Sequence, residues 1–239
     1  MARALLGELL GTMTLIIFGS GVVAGVLLNR SKAQNSGWIV IITGWFVGVV
    51  AGVFVATAFG SPDAHLNPAV TLCFAVLKGD FSKLLPYTLA QTAGAFLGAT
   101  VVWLHYFPHW KETADPAAKL GVFSTSPAIR DYPWNLAAET IATVVLMVGI
   151  YAVNAGTVAP AVGPYLVGLL VWGIGASLGG CTGYAINPAR DIGPRIAHAV
   201  WPIAGKGSSD WAYAWIPVVG PLAGGLLGAV FIKLLSGPI

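Results

Sequence analysis

"INPARDIGPRIAHAVW", residues 186–201, carries Arg190, Asp191 and Arg195 in a chain where only 9% of residues are charged and 56% are hydrophobic. Apolar runs lie on both sides of it. A soluble domain has about a quarter charged residues, so this chain cannot cover itself with a water-facing surface. The stretch itself is partly apolar but too short to cross a bilayer. About ten helical residues give roughly 15 Å, half of a hydrocarbon core about 30 Å thick. A counterpart lies far upstream, "LNPAVTLCFAVLKG", residues 66–79. Both contain Asn-Pro-Ala, as Asn67-Pro68-Ala69 and Asn187-Pro188-Ala189, close to half a chain length apart. Asn is a strong N-cap. Pro suits the first helical position, where its missing N–H costs nothing. Each copy therefore reads as the start of a short helix that enters the membrane and does not cross it.

Outward from these two segments, six apolar runs are expected to cross: 4–28, 38–58, 84–106, 135–155, 163–180 and 213–235. They are continuously apolar, without the alternation of a membrane β-barrel. The first has a longer apolar core than a cleaved signal peptide would. The fold class expected is an all-α membrane protein of six spans plus two re-entrant half-helices. Each Asn-Pro-Ala copy follows two spans and precedes one. "GELLGTMTLIIFGSG" at 7–21 echoes "AETIATVVLMVGIYA" at 138–152, each with a glutamate near its start, Glu8 and Glu139. The chain thus reads as a single domain, 1–239, of two halves, about 1–106 and 135–239, joined by an extramembrane loop at about 107–134. Three spans per half is an odd number, so the second half inserts upside down relative to the first. Binding sites in such inverted repeats lie near the midplane, between the halves.

Inversion brings the two half-helix N-termini head to head. Both helix dipoles then present positive ends to one spot, and the amides of Asn67 and Asn187 can donate hydrogen bonds there. A cation or proton is disfavoured; a neutral hydroxyl finds donors. Irregular backbone at this depth is tolerated only where it is buried in protein or lines a wet cavity. Glycines recur every fourth residue at 44, 48 and 52, at 94 and 98, and at 220, 224 and 228. That spacing puts them on one helix face and predicts close helix–helix approach.

The net charge of +3 comes with no basic run, so nothing points to nucleic acid. Cys73 and Cys181 lack metal or disulfide spacing, and no cofactor or metal site is expected. Lys and Arg are nearly balanced between the loops: Arg30 and Lys32 on one side, Arg3, Lys78, Lys83 and Lys233 on the other. The positive-inside rule leans only slightly toward cytoplasmic termini.

At these residues the chain resembles the major intrinsic protein family, the aquaporins and glycerol facilitators, over essentially its full length. "NPARDIGPR" is similar to the glycerol-conducting branch, which has an Asp after the motif arginine and a basic residue four positions later, here Asp191 and Arg195. "GVFSTSP" at 121–127 looks like part of that branch's outer loop. Pro217 and Val218 stand where the branch has Pro and an aliphatic residue. The resemblance implies a homotetramer with one pore per subunit, in a plasma membrane of bacterial type. It implies that Arg190 forms the narrowest constriction, with Val47, Gly175 and Tyr184 by an ungapped alignment. A two-residue gap would put Trp45 in place of Val47. With Val47 the filter would be wider than in a strict glycerol channel. It would then admit dihydroxyacetone, urea or undissociated hydroxy acids. Glu8 and Glu139, as intramembrane carboxylates, are functional by default. The resemblance gives them the task of holding the re-entrant loops; a proton relay is the alternative. His65 is expected near the inner side of the pore, or in simple packing. Cys181 lies close enough to the second motif to approach the outer vestibule.

The function expected is passive diffusion of glycerol, other small neutral solutes and water. A water-selective pore would usually carry His in place of Gly175. An ion-coupled transporter would need more intramembrane carboxylates than Glu8 and Glu139. An intramembrane enzyme would need a catalytic arrangement; no HExxH, GxSxG or carboxylate pair is present.

Overall fold

The computed structural model describes residues 1–159 and 161–236. Residue 160 and residues 237–239, which belong to the expected second half, lie outside the described residues. The first half contains α1 (Ala2–Leu27), α2 (Trp38–Ala58), α3 (Pro68–Lys78) and α4 (Leu84–His105). Two short helices follow, α5 (His109–Glu112) and α6 (Pro116–Phe123). The second half contains α7 (Tyr132–Ala155), α8 (Gly163–Leu178), α9 (Pro188–Val200) and α10 (Ile216–Ser236). No strand occurs among the described residues.

Four helices, α1, α2, α7 and α10, are each long and apolar enough to cross a membrane alone. α4 has the length, 22 residues, but Thr88, Gln91 and Thr92 dilute its hydropathy. α8 has 16 residues, about 24 Å at 1.5 Å per residue. Both pack into the bundle, so six long helices surround the two half-helices. α1 packs on α2 and α4; its counterpart α7 packs on α8 and α10. Each half-helix lies against the last long helix of the other half, α3 on α10 and α9 on α4. The halves are thereby interlocked.

The glycine spacing explains how close these helices come. A Cβ on Gly98 would lie 2.5 Å from the Met13 carbonyl of α1, and one on Gly224 2.5 Å from Cβ of Thr143 in α7. On α2, a Cβ at Gly52 would stand 2.8 Å from the Gly11 carbonyl. Substituents at these positions would push the helices apart.

The outer connection holds more structure than a polar loop suggests. α6 starts as the half-helices do, with a capping side chain followed by proline: Asp115 Oδ1 accepts from the Ala117 N–H at 2.8 Å. α7 starts at Tyr132, three residues before the sequence-based boundary, because Asp131 caps it and Pro133 follows.

Candidate functional site: a cavity between two half-helix N-termini

Asn67 and Asn187 have extended backbones, φ −157° and −153°, and cap α3 and α9 with their Oδ1 atoms. Asn67 accepts from the Ala69 N–H at 2.8 Å; Asn187 accepts from those of Ala189 and Arg190 at 3.0 and 3.2 Å. Each amide nitrogen reaches across to the other half. Asn67 Nδ2 donates to the Ile186 carbonyl, and Asn187 Nδ2 to the Leu66 carbonyl, both at 2.8 Å. Pro68, Ala69, Pro188 and Ala189 open the helices, buried behind the asparagines. One N–H of each amide is used in the crossing bond. The other remains for an occupant of the cavity that both residues line.

The loops leading to these caps are strained in the same pattern. Ala64 and Leu66 have φ +42° and +52°; Tyr184 and Ile186 have +39° and +43°. Left-handed backbone costs a non-glycine residue about 1–2 kcal/mol. Two buried carboxylates offset this. Glu8 accepts from Ser61 Oγ (2.7 Å), the His65 N–H (2.9 Å), the Leu66 N–H (2.8 Å) and Gln91 Nε2 (2.8 Å). Glu139 accepts from Thr182 Oγ1 (2.6 Å) and from the N–H groups of Ala185 (3.0 Å) and Ile186 (2.9 Å). Hydrogen bonds to a charged group contribute about 1.5–3 kcal/mol each, so each carboxylate is sufficient to hold its loop. All these partners are neutral, and neither glutamate is among the residues that line the cavity.

The cavity encloses about 630 Å³. Leu15, Val49, Val53, Leu146, Ile150 and Val171 give it an apolar wall. His65, Leu66, Asn67, Ile186 and Asn187, where the strained loops run, line it as well. The His65 ring stacks on Phe74 at 5.2 Å between centroids, and its Nδ1 is 3.2 Å from Thr71 Oγ1. At one end lie Asp63, Lys78 and Asn154; Asp63 is bound by Lys83 (2.5 Å) and the Tyr87 hydroxyl (2.8 Å).

At the other end are Trp45, Tyr184 and Arg190. Arg190 is 7% exposed, and its guanidinium lies 4.1 Å over the centroid of the Trp45 ring. Its Nη1 donates to the Phe123 carbonyl at 3.4 Å. Gly175 does not line the cavity but shapes it. A Cβ there would stand 2.8 Å from Tyr184 Cζ, so glycine leaves room for that ring. The Gly175 carbonyl accepts from Trp38 Nε1 at 2.9 Å. Tyr184 is buried, and its hydroxyl has no partner among the described residues.

Val47 is not at this end. It is 39% exposed and lines a shallow apolar groove on the outside of α1 and α2, with Phe18, Val22 and Thr43. Trp45, 4% exposed, lines the cavity at this end, on the same α2 face as Val49 and Val53. Two helical residues turn by about 200°, so a two-residue shift in alignment carries a side chain from the inner face to the outer. The ungapped register was wrong. With it goes the reason to expect a filter wide enough for dihydroxyacetone, urea or hydroxy acids.

Asp191 is fully buried outside the cavity. It pairs with Arg195 (Nε to Oδ1, 2.7 Å) and accepts from the N–H and hydroxyl of Thr125, both at 2.8 Å. Cys181 is exposed and Cys73 buried, both unpaired. Ser61, Gln91, Phe123, Thr125 and Thr182 have no role in the reading of the sequence. Gln91 is detectable as an amide in the middle of an apolar span; Phe123 and Thr125 fall in the stretch 121–127 without a mark of their own, and Ser61 and Thr182 are small polar residues in loops.

The family model described as major intrinsic protein matches residues 1–232. The chain is 56% identical to the glycerol uptake facilitator protein 3 of Lactiplantibacillus plantarum over 236 residues, covering 98% of each. It is 56% identical to the probable glycerol uptake facilitator protein of Thermotoga maritima over 226 residues, 94% of this chain and 95% of that one. Among solved structures, the aquaglyceroporin of Plasmodium falciparum superposes with a TM-score of 0.85 at 27% identity, over 99% of this chain and 97% of that one.

Proposed function

This chain belongs to the major intrinsic protein family, and we propose that it is a passive transmembrane channel, not an enzyme, through which glycerol diffuses down its gradient together with water. The observation that carries the reading is a cavity lined by apolar side chains together with hydrogen-bonding groups, ending at Trp45, Tyr184 and Arg190. A polyol presents carbon on one side and hydroxyls on the other. The carbon edge is matched by Leu15, Val49 and Ile150; the hydroxyls by the free amide N–H groups of Asn67 and Asn187 and by the guanidinium of Arg190.

Selectivity follows from the same parts. The flat Trp45 ring and the tip of Tyr184 bound the solute, and the Arg190 donors orient it. A fixed cation in a narrow passage adds an electrostatic barrier to other cations. The converging positive ends of α3 and α9 add a second. Four long apolar helices suit an integral membrane protein. In this reading the chain forms one channel domain, assembles as a homotetramer, and has cytoplasmic termini in a bacterial-type plasma membrane.

The test is stopped-flow light scattering on proteoliposomes under an inward glycerol gradient and a matched sucrose gradient. Fast re-swelling in glycerol, equal with and without a sodium or proton gradient, is the expected result. Shrinkage in sucrose with no glycerol re-swelling would identify a water-selective pore. Dependence on an ion gradient would move the protein to the coupled transporters.

A further inference from the structure

Arg190 has little to hold it. Its guanidinium carries five N–H donors, yet its contacts among the described residues are the Trp45 face and one carbonyl, that of Phe123. Where this carbonyl stands decides where the guanidinium stands. Phe123 ends α6, and the chain then runs through Ser124 and Thr125 without regular structure. The Phe123 ring is buried against Trp110 and His198 on one side of this carbonyl; the segment that leaves it on the other side needs its own hold.

Thr125 supplies three tethers. Its N–H and its hydroxyl donate to Asp191 Oδ2, both at 2.8 Å, and its carbonyl accepts from Arg195 Nη2 at 3.0 Å. Asp191 and Arg195 have no exposed side-chain surface and are bonded to each other. Arg195 is anchored further by the carbonyls of Ser209 (2.7 Å) and Asp210 (3.2 Å). Asp191 directly follows Arg190 on α9. One rigid half-helix thus carries both the constriction cation and the clamp for the segment that holds it. Thr125 also faces the opposite wall. A Cβ on Gly183, next to Tyr184, would meet the Thr125 methyl carbon at 3.4 Å.

We propose that Thr125 is a positioning residue for the constriction. Its hydroxyl, bound to Asp191, fixes the Phe123 carbonyl that anchors Arg190 and so sets the largest solute that passes. The inference rests on the channel reading above. Removing the hydroxyl leaves the Thr125 N–H bond but loosens the segment. The guanidinium then yields to bulkier polyols, and selectivity changes more than throughput.

Thr125→Val keeps the shape and loses the donor; Thr125→Ser keeps the donor and loses the methyl. Re-swelling of proteoliposomes in glycerol, erythritol and xylitol is measured for wild type and both variants, with reconstituted protein quantified. The expected result is a rise of about threefold or more in the xylitol-to-glycerol ratio for Thr125→Val, the size of one lost hydrogen bond, and the wild-type ratio for Thr125→Ser. A wild-type ratio in Thr125→Val, or all solutes slowing together, overturns the proposal, as does an equal shift in both variants. If Thr125→Val does not reconstitute, Thr125→Cys, with similar volume and a weak donor, carries the same outcomes. Wild type without glycerol re-swelling would instead sink the channel reading itself, a result visible before any variant is compared.

Discussion

A tryptophan ring against an arginine, 4.1 Å apart, does two things in the narrow end of this cavity. The ring bounds the passage, and its face favours the guanidinium, an attraction of about 2 kcal/mol or more when desolvated. Removing the ring opens the passage and takes away a support of the cation. Trp45→Val should raise the permeability of erythritol relative to glycerol by about tenfold, the scale on which apolar pocket volume discriminates solutes. Val47→Trp, two residues away, adds a ring on the outer face and should leave the solute profile unchanged. Both are read in one series of proteoliposome re-swelling curves. A changed profile in Val47→Trp with none in Trp45→Val would reverse the assignment of the α2 face. At this scale the sequence marked Asn67, Asn187 and Arg190 through their motif, and Tyr184 through alignment to the resembled family. It could not settle Trp45 against Val47, because each is an apolar residue in an apolar helix, and register along α2 depends on what α2 packs against.

The helices meet through glycines. Gly98 on α4 faces the Met13 carbonyl of α1, while Gly173 on α8 has open space where a side chain would stand. Overpacking a close contact costs about 1–3 kcal/mol. Gly98→Val should therefore lower the midpoint of thermal unfolding in detergent, and Gly173→Ala should leave it within error. Equal midpoints for the two variants would remove close approach as the reason for the stripe. The half-helices were legible as elements because Asn followed by Pro states a helix start in two residues, and two copies repeat it. The same signature at Asp115-Pro116 announced α6, yet it sits in a polar stretch that reads as loop. There the charged composition masked a local signal.

Across the whole molecule, α3 leans on α10 and α9 on α4, so each half completes the other around one central spot. Two positive helix ends converge there, and the buried Arg190 lies one turn further along α9. In the channel reading proposed above, such a site is expected to pass neutral solutes and oppose protons and metal cations. Under a pH gradient, glycerol flux through reconstituted protein should leave the lumenal pH of the vesicles unchanged, followed with a trapped pH dye. A proton leak that scales with channel density would contradict this arrangement of charge.

The sequence by itself determined the membrane class, the two half-helices, the inverted repeat and the two capping asparagines. Each is written in local composition, periodicity or a motif that repeats within the chain. The tertiary structure alone decided that Trp45 and not Val47 meets Arg190, which N–H groups Glu8 and Glu139 reach, and that Thr125 is tied to Asp191. These pairings join residues far apart in the chain. Which face of a helix turns inward, and which carbonyl a side chain reaches, is set by packing between elements and has no local trace.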